Sequence, residues 1–281
     1  MLFRYIALLD NFDSDVDELD LGYENRTLKI RKIPRKEIEE FLSRIKSFDP
    51  LWFETALLLG EKMYWMDYHY EVDDSREAMV AVSNAVIEEK EKIVLALRLF
   101  KGGSLRTVSD AKKGKYVGLV ITPFKGLGGI KRTYFLSGSK AAMLRDFLEE
   151  FSHIAWKAKK SKTSLGIALG RFTDGYERLK PEDKMIDYVI GLEALYLHGE
   201  GMGEFGYKMA HRASVLLADD KKERIPLFQK IKEAYKLRSK IVHGGKYALS
   251  TEDVWLIEDV LRDSIKKFLK TPKLDWVNLI F

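Results

Sequence analysis

Apolar positions change period along the chain. In roughly the first half they alternate with polar residues in short runs, and in the second half they recur every three to four residues. Leu2–Leu9 and Leu28–Ile33 read as strands. Pro34 opens a helical segment whose face carries Ile38, Phe41, Leu42 and Ile45, and Asp49-Pro50 ends it. From Lys62 to Val72, Tyr64, Met66, Tyr68 and Tyr70 alternate with Met63, Trp65, Asp67 and His69, which predicts a strand. Ser75 precedes a long helix striped with Ala78, Val82, Ala85, Val86, Ile93 and Leu97, and Gly102-Gly103 stops it. Tyr116–Phe124 and Lys131–Leu136 are β-rich, with a Lys-Gly-Leu-Gly-Gly hairpin or loop between them.

Ser137-Gly138-Ser139 marks a boundary. Beyond it helical patterns cover 141–160, 165–178, 182–197, 205–218, 226–242 and 252–269, joined by short polar or glycine-containing connections. The expected fold is an α+β N-terminal domain over residues 1–139, of unassigned role, followed by an all-α helical bundle over 140–281.

Composition narrows the classes of function. With 281 residues, 46% of them apolar, the chain can bury substantial cores. Its apolar runs, such as Leu119–Ile121 and Ala56–Leu59, fall far short of the ~20 residues of a membrane-spanning helix. The start, MLFRYIALLDNFDSD, has neither a basic leader nor a small-residue cleavage site, so the expectation is a cytoplasmic protein without a membrane partner. The absence of cysteine removes disulfides, thiolate metal sites and cysteine nucleophiles. The net charge of +5 is uneven: residues 1–100 carry 14 basic and 21 acidic side chains, residues 101–281 carry 34 and 22. That bias favours a polyanionic partner such as RNA, and equally describes lysine-rich solvated helix faces.

Two segments carry candidate chemistry. Glu193 lies in the apolar stripe Ile186, Val189, Ile190, Ala194, Leu197, so its carboxylate must be paired, protonated or functional, and Arg212 on the next helix is the expected partner. The segment from Tyr235 to Gly245 ends a helix with two glycines, Gly244 being suited to a left-handed cap, so His243 falls in the last turn, where the helix dipole favours an imidazolium. Five residues rotate a helix by ~140°, which separates Arg238 from His243 unless the turn unwinds or both border a cleft between subunits.

This segment, RSKIVHG, resembles the Arg-x4-His signature of the HEPN superfamily, in the Arg-Ser-x-x-Val-His-Gly form of its Apea-like branch. The resemblance extends back through ALGRFTDGYE, PEDKMIDYVIGLEALYL and KMAHRASVLLA, over residues 160–270. It implies a HEPN-like helical bundle that forms a homodimer, with paired Arg/His motifs. In active members it implies a metal-independent endoribonuclease, in a defence or toxin–antitoxin setting with an antitoxin or regulatory partner. His243 would then act as general base or acid at the ribose 2′-OH, Arg238 would stabilise the phosphate, and Glu193, Arg212, Tyr235 and Ser239 would support them. Ser239 stands where many nuclease members carry Asn, Asp or His, and other members are non-catalytic, so a dimerisation or ligand-sensing module is the alternative. No cofactor or metal is expected.

Other signals carry less. Asp13, Asp15, Asp17 and Glu24 have the spacing of a calcium loop, but Glu18 replaces the required glycine, and a solvated acidic loop is expected instead. Gly126, Gly128 and Gly129 lack the Gly-Lys-Ser/Thr of a nucleotide loop, and HGEGMGEFG after Leu197 reads as an interhelical loop. Asp67, His69, Asp73 and Asp74 lack the further ligands of a metal site, and His153 and His211 lack helical histidine partners.

Overall fold

The structure is a computed structural model. It describes residues 2–22, 27–43, 50–60, 63–115, 118–122, 131–199 and 203–271. Glu24, Ile45, Tyr116, the glycine run at 126–129 and residues 200–202 of the later glycine-rich segment lie outside the described residues. The chain forms two compact units, 1–152 and 153–281.

The first unit is built on a six-stranded antiparallel sheet. Its strands are β1 (Leu2–Asp10), β3 (Glu18–Asp20), β4 (Thr27–Arg31), β5 (Trp65–Glu71), β6 (Arg106–Gly114) and β7 (Gly118–Thr122), in the order β3-β4-β5-β1-β6-β7. A separate parallel pair joins β2 (Phe12–Asp13) to β8 (Tyr134–Phe135). Side chains alternate across the sheet. Phe3, Tyr5, Ala7 and Leu9 share a core with Leu28, Ile30, Met66 and Tyr68, with Met79, Val86, Ile93 and Leu97 of α3 (Arg76–Phe100), and with Leu144 and Leu148 of α4 (Ala141–Lys159). Ile6, Leu8 and Trp65 face the other way, onto Ile38, Phe41 and Leu42 of α1 (Arg35–Leu42) and Phe53 and Leu57 of α2 (Pro50–Gly60). Because Leu144 and Leu148 join the first core, the division between units falls inside α4, beyond the 139 boundary read from the sequence.

The α+β reading of this unit stands, with corrections in detail. The acidic stretch after Asn11 is not a simple loop: Glu18–Asp20 pair with β4, and Asp15 accepts from the Ser137 hydroxyl (2.6 Å) and the Gly138 amide (2.7 Å). Among the described residues, the two β-rich runs flanking the glycine segment take other partners: β7 lies against β6 and β8 against β2. Pro50, expected to end a helix, instead opens one, α2.

The second unit is a helical bundle, which continues α4 with α5 (Ser164–Glu177), α6 (Pro181–Tyr196), α7 (Phe205–Leu217), α8 (Lys221–Val242) and α9 (Thr251–Lys270). Thr163, Asp220 and Ser250 cap α5, α8 and α9, and Ser250 forms a reciprocal capping box with Asp253. Helices α5, α6 and α9 pack closely around buried Leu169, Phe172, Val189, Leu192, Ile257 and Leu261. Their contact depends on glycine. A β-carbon at Gly175 would lie 2.1 Å from Tyr188 Cε1, and one at Gly191 would lie 2.8 Å from Leu261 Cδ2. No helix among the described residues is long and apolar enough to cross a membrane.

Candidate functional site

Helix α8 carries the RSKIVHG segment at its C-terminal end. Asp220 starts the helix five residues earlier than the apolar pattern suggests, accepting from the amides of Lys222 (2.8 Å) and Glu223 (2.9 Å), and Pro226 lies inside the helix. The end is a Schellman closure: Gly245 N–H donates to Lys240 O (2.8 Å), Gly244 N–H reaches toward Ile241 O (3.5 Å), and Gly244 sits at φ +71°. The left-handed cap expected at Gly244 is therefore present. His243 is the C-cap residue, its amide donating to Ser239 O (3.0 Å) and its side chain exposed.

Arg238 points elsewhere. Its Nη2 lies 3.5 Å from Glu193 Oε2 on α6, both side chains about a quarter exposed, and its buried Nε has no hydrogen-bond partner among the described residues. Burial raises the Glu193 carboxyl above the ordinary glutamate range, against the pull of the Arg238 charge. The cation facing Glu193 is thus Arg238, not the Arg212 expected from the sequence. Arg212 donates instead to the Tyr196 carbonyl (2.6 Å), satisfying an acceptor at the end of α6. Tyr235 packs its ring on the first turn of α7, where a β-carbon on Gly206 would stand 2.7 Å from Tyr235 Cδ1. Ser239 is half-buried, and its carbonyl accepts the His243 amide.

The straight helix therefore keeps Arg238 and His243 apart, as their spacing predicts. One faces α6 and the other faces solvent, five residues and ~7.5 Å further along the axis. Around them α8 is strongly basic, with nine Lys or Arg and two Glu between residues 221 and 246. It is also poorly buried, since only Ile231 and Ala234 are fully covered. Aromatic rings border it: Phe228 meets Tyr207 of α7 edge-on (5.4 Å), and Tyr207 stacks on His211 (5.9 Å).

Several polar residues of the upstream segments are buried in the bundle, some of them met by arginines from its surface. Asp187, 2% exposed, accepts from Arg171 (2.9 Å) and Arg178 (2.8 Å), and Lys184 donates to the Gly175 carbonyl (2.8 Å). Tyr176 (2.8 Å) and Tyr188 (3.3 Å) donate to the buried Glu258 carboxylate, which also binds Arg262. The sequence reading missed this cluster. Its signal is a Glu258/Arg262 pair one helical turn apart within the apolar stripe of α9.

A second charged cluster lies on the sheet of the first unit. Asp67, 1% exposed, accepts from Arg4 (2.9 and 3.0 Å) and Arg31 (2.9 Å) and lies 3.1 Å from His69 Nε2, while Glu37 bridges the same two arginines. Burial works to raise the Asp67 carboxyl, but hydrogen bonds from His69 and Arg4 and the arginine charges hold it well below the ordinary range. Two guanidinium groups stand where a cation would have to enter, and among the described residues no group of three or more His, Asp or Glu is arranged to hold a metal ion. No protein-family model, curated protein or solved structure matches the chain.

Proposed function

We propose that the C-terminal unit is a HEPN-like RNA-binding domain of the Apea-like type that cleaves RNA without a metal, through Arg238 and His243. The observation that carries this reading is the state of Arg238. Its guanidinium is partly buried, and among the described residues its Nε has no acceptor and its carboxylate neighbour, Glu193, stands at 3.5 Å, so it retains donors for a phosphate. His243, exposed at a helix end closed by the glycine cap, has the side-chain chemistry to take the 2′-OH proton and return one to the leaving 5′-oxygen. The two groups diverge on one helix, so the reading places them on one phosphate across a homodimer, with Arg238 of one copy beside His243 of the other. The basic, thinly covered α8 supplies the electrostatic attraction for RNA. An antitoxin or regulatory protein covering this end of α8 would silence it.

One observation favours the non-catalytic alternative: Glu193 already faces Arg238, which is what a structural pair between α6 and α8 provides. A single experiment separates the two readings. An end-labelled RNA pool is incubated in excess EDTA with wild type, Arg238→Ala and His243→Ala. Cyclic-phosphate ends made only by wild type, with both variants folded and dimeric, establish the nuclease. Salt-sensitive RNA binding without cleavage by wild type establishes the binding module, and absence of binding at ~50 mM salt refutes both.

A further inference from the structure

Tyr207 stands apart from the packing of its own helix. Met209, Ala210 and Ala213 of α7 are fully covered, whereas Tyr207 is 47% exposed. Its ring lies nearly parallel to that of His211 one turn on (6°, centres 5.9 Å apart), and Phe228 of α8 meets it edge-on (5.4 Å). Lys232 stands over the Phe228 ring, its Nζ 5.7 Å from the ring centre. Three rings and a cation thus form one row across the seam between α7 and α8. An aromatic side chain that serves packing alone is covered by it, and this one keeps ring surface in solvent beside a cation.

Helix α8 continues this row toward the candidate site. At about 100° per residue, Lys232 and Lys236 lie about 40° and 80° round the helix from Phe228, and His243 about 60° in the same sense. Ile231, Ala234 and Arg238 lie about 60° to 120° in the opposite sense, where the first two are buried and Arg238 faces Glu193. Lys236 and His243 are exposed, so the side of α8 that runs about 22 Å from Phe228 to His243 is open and basic. The carboxylates of α8, Glu223 and Glu233, are each about 140° round from Phe228. Among the described residues none of the six lysines of α8 forms an ion pair, and neither do these two glutamates or Glu204, which precedes α7. Lysines attract the phosphates of any strand, but an exposed ring takes a base only where that base is unpaired and free to leave its neighbours.

We propose that Tyr207, backed by His211 and Phe228, is a stacking platform for an unpaired RNA base, and that Lys232 and Lys236 lead the phosphates of the same strand along α8 toward His243. The inference rests on the RNA-binding reading of the C-terminal unit and adds to it a base subsite about 22 Å along α8 from His243.

The test is fluorescence anisotropy with the full-length protein, in EDTA at ~50 mM salt. The probes are 2′-O-methylated and so lack the hydroxyl attacked in cleavage: an adenosine dodecamer, that dodecamer paired with its uridine complement, and an abasic backbone of the same length. Tyr207→Ala weakens the unpaired dodecamer by about fivefold or more, the worth of one stacked base, and leaves the duplex and the abasic backbone unchanged. Tyr207→Phe, which keeps the ring, binds as wild type does. Lys232→Ala weakens all three probes and lowers the salt slope by about one. A folded Tyr207→Ala protein that binds the unpaired dodecamer like wild type overturns the proposal. So does an equal loss on all three probes, or a fall in molecular mass by light scattering, which would make the patch an interface between copies. Those results leave the RNA-binding reading standing, whereas wild type that binds none of the probes removes both.

Discussion

Alanine at Gly175 and at Gly170, one helical turn and a half apart on α5, should move stability in opposite directions. Both positions are helical, so alanine gains about 1 kcal/mol of intrinsic helix preference at each. At Gly170 a β-carbon meets nothing within 4 Å, and that gain stands alone. At Gly175 it would lie 2.1 Å from Tyr188 Cε1 and 2.7 Å from Cζ, on a ring with no exposed surface. The ring must withdraw by more than an ångström, and its hydroxyl, 3.3 Å from Glu258, then loses its acceptor. Overpacking costs about 1–3 kcal/mol, and an orphaned buried hydroxyl about 1–3 more. Less the helix gain, Gly175→Ala destabilises by about 1–5 kcal/mol, or a fall of roughly 3–20 °C in Tm, while Gly170→Ala raises it by a few degrees. Calorimetric scans of the full chain, read at the transition of the helical unit, measure both. Equal shifts of the same sign would refute the claim that α5 and α6 approach through Gly175.

Three further outcomes follow from the charged groups and the helix cap. The folded state holds the Glu193 proton more tightly than the unfolded chain does, so wild type loses stability as pH rises from the ordinary glutamate range toward its raised folded value. Glu193→Gln should therefore gain on wild type in urea midpoints as pH rises above the ordinary glutamate range, and parallel profiles would contradict the shift. Asp67→Asn leaves Arg4 and Arg31 short of a buried carboxylate and should cost about 3–5 kcal/mol in denaturant unfolding of the sheet unit. Because the Asp67 carboxyl is held low, that penalty is present above about pH 4 and shrinks only as pH falls through its depressed folded value. Gly244→Ala places a β-carbon at φ +71° and should cost about 1 kcal/mol in urea unfolding, with frayed amide protection at the end of α8.

Long, periodic elements were legible in the sequence and short or polar ones were not. Helices α4 to α7 and α9 start and stop within a residue or two of their apolar patterns, because one face of each is buried against neighbours and caps such as Thr163 and Ser250 are written in the chain. Strand β6 escaped notice although it is interior to the sheet, since Arg106-Thr-Val-Ser-Asp-Ala-Lys-Lys-Gly places lysines that reach the Ser83 and Phe41 carbonyls where apolar residues are expected. Strands β2 and β3 are two and three residues long and exist only through partners distant in sequence. At the candidate site, the cap at Gly244 and the divergence of Arg238 from His243 follow from local geometry and were readable. The choice of Arg238 over Arg212 as the group facing Glu193 depends on how α8 crosses α6, which no local pattern encodes.

The thin burial of α8 has a consequence in time as well as in space. Helix α9 buries Val254, Ile257, Leu261, Ile265 and Phe268 together with an ion pair, and exchange of its amides requires the bundle to open as a whole. Helix α8 rests on α7 through Phe228 against Tyr207 and the Tyr235 ring on Gly206, buries Ile231 and Ala234, and meets α6 through one long ionic contact, so its amides should exchange ahead of those of α9. Arg238 and His243 ride on this element. Any partner that clamps α8, whether a second copy or a bound strand, orders both groups at once, and occupancy of the helix face becomes a control on the groups at its end.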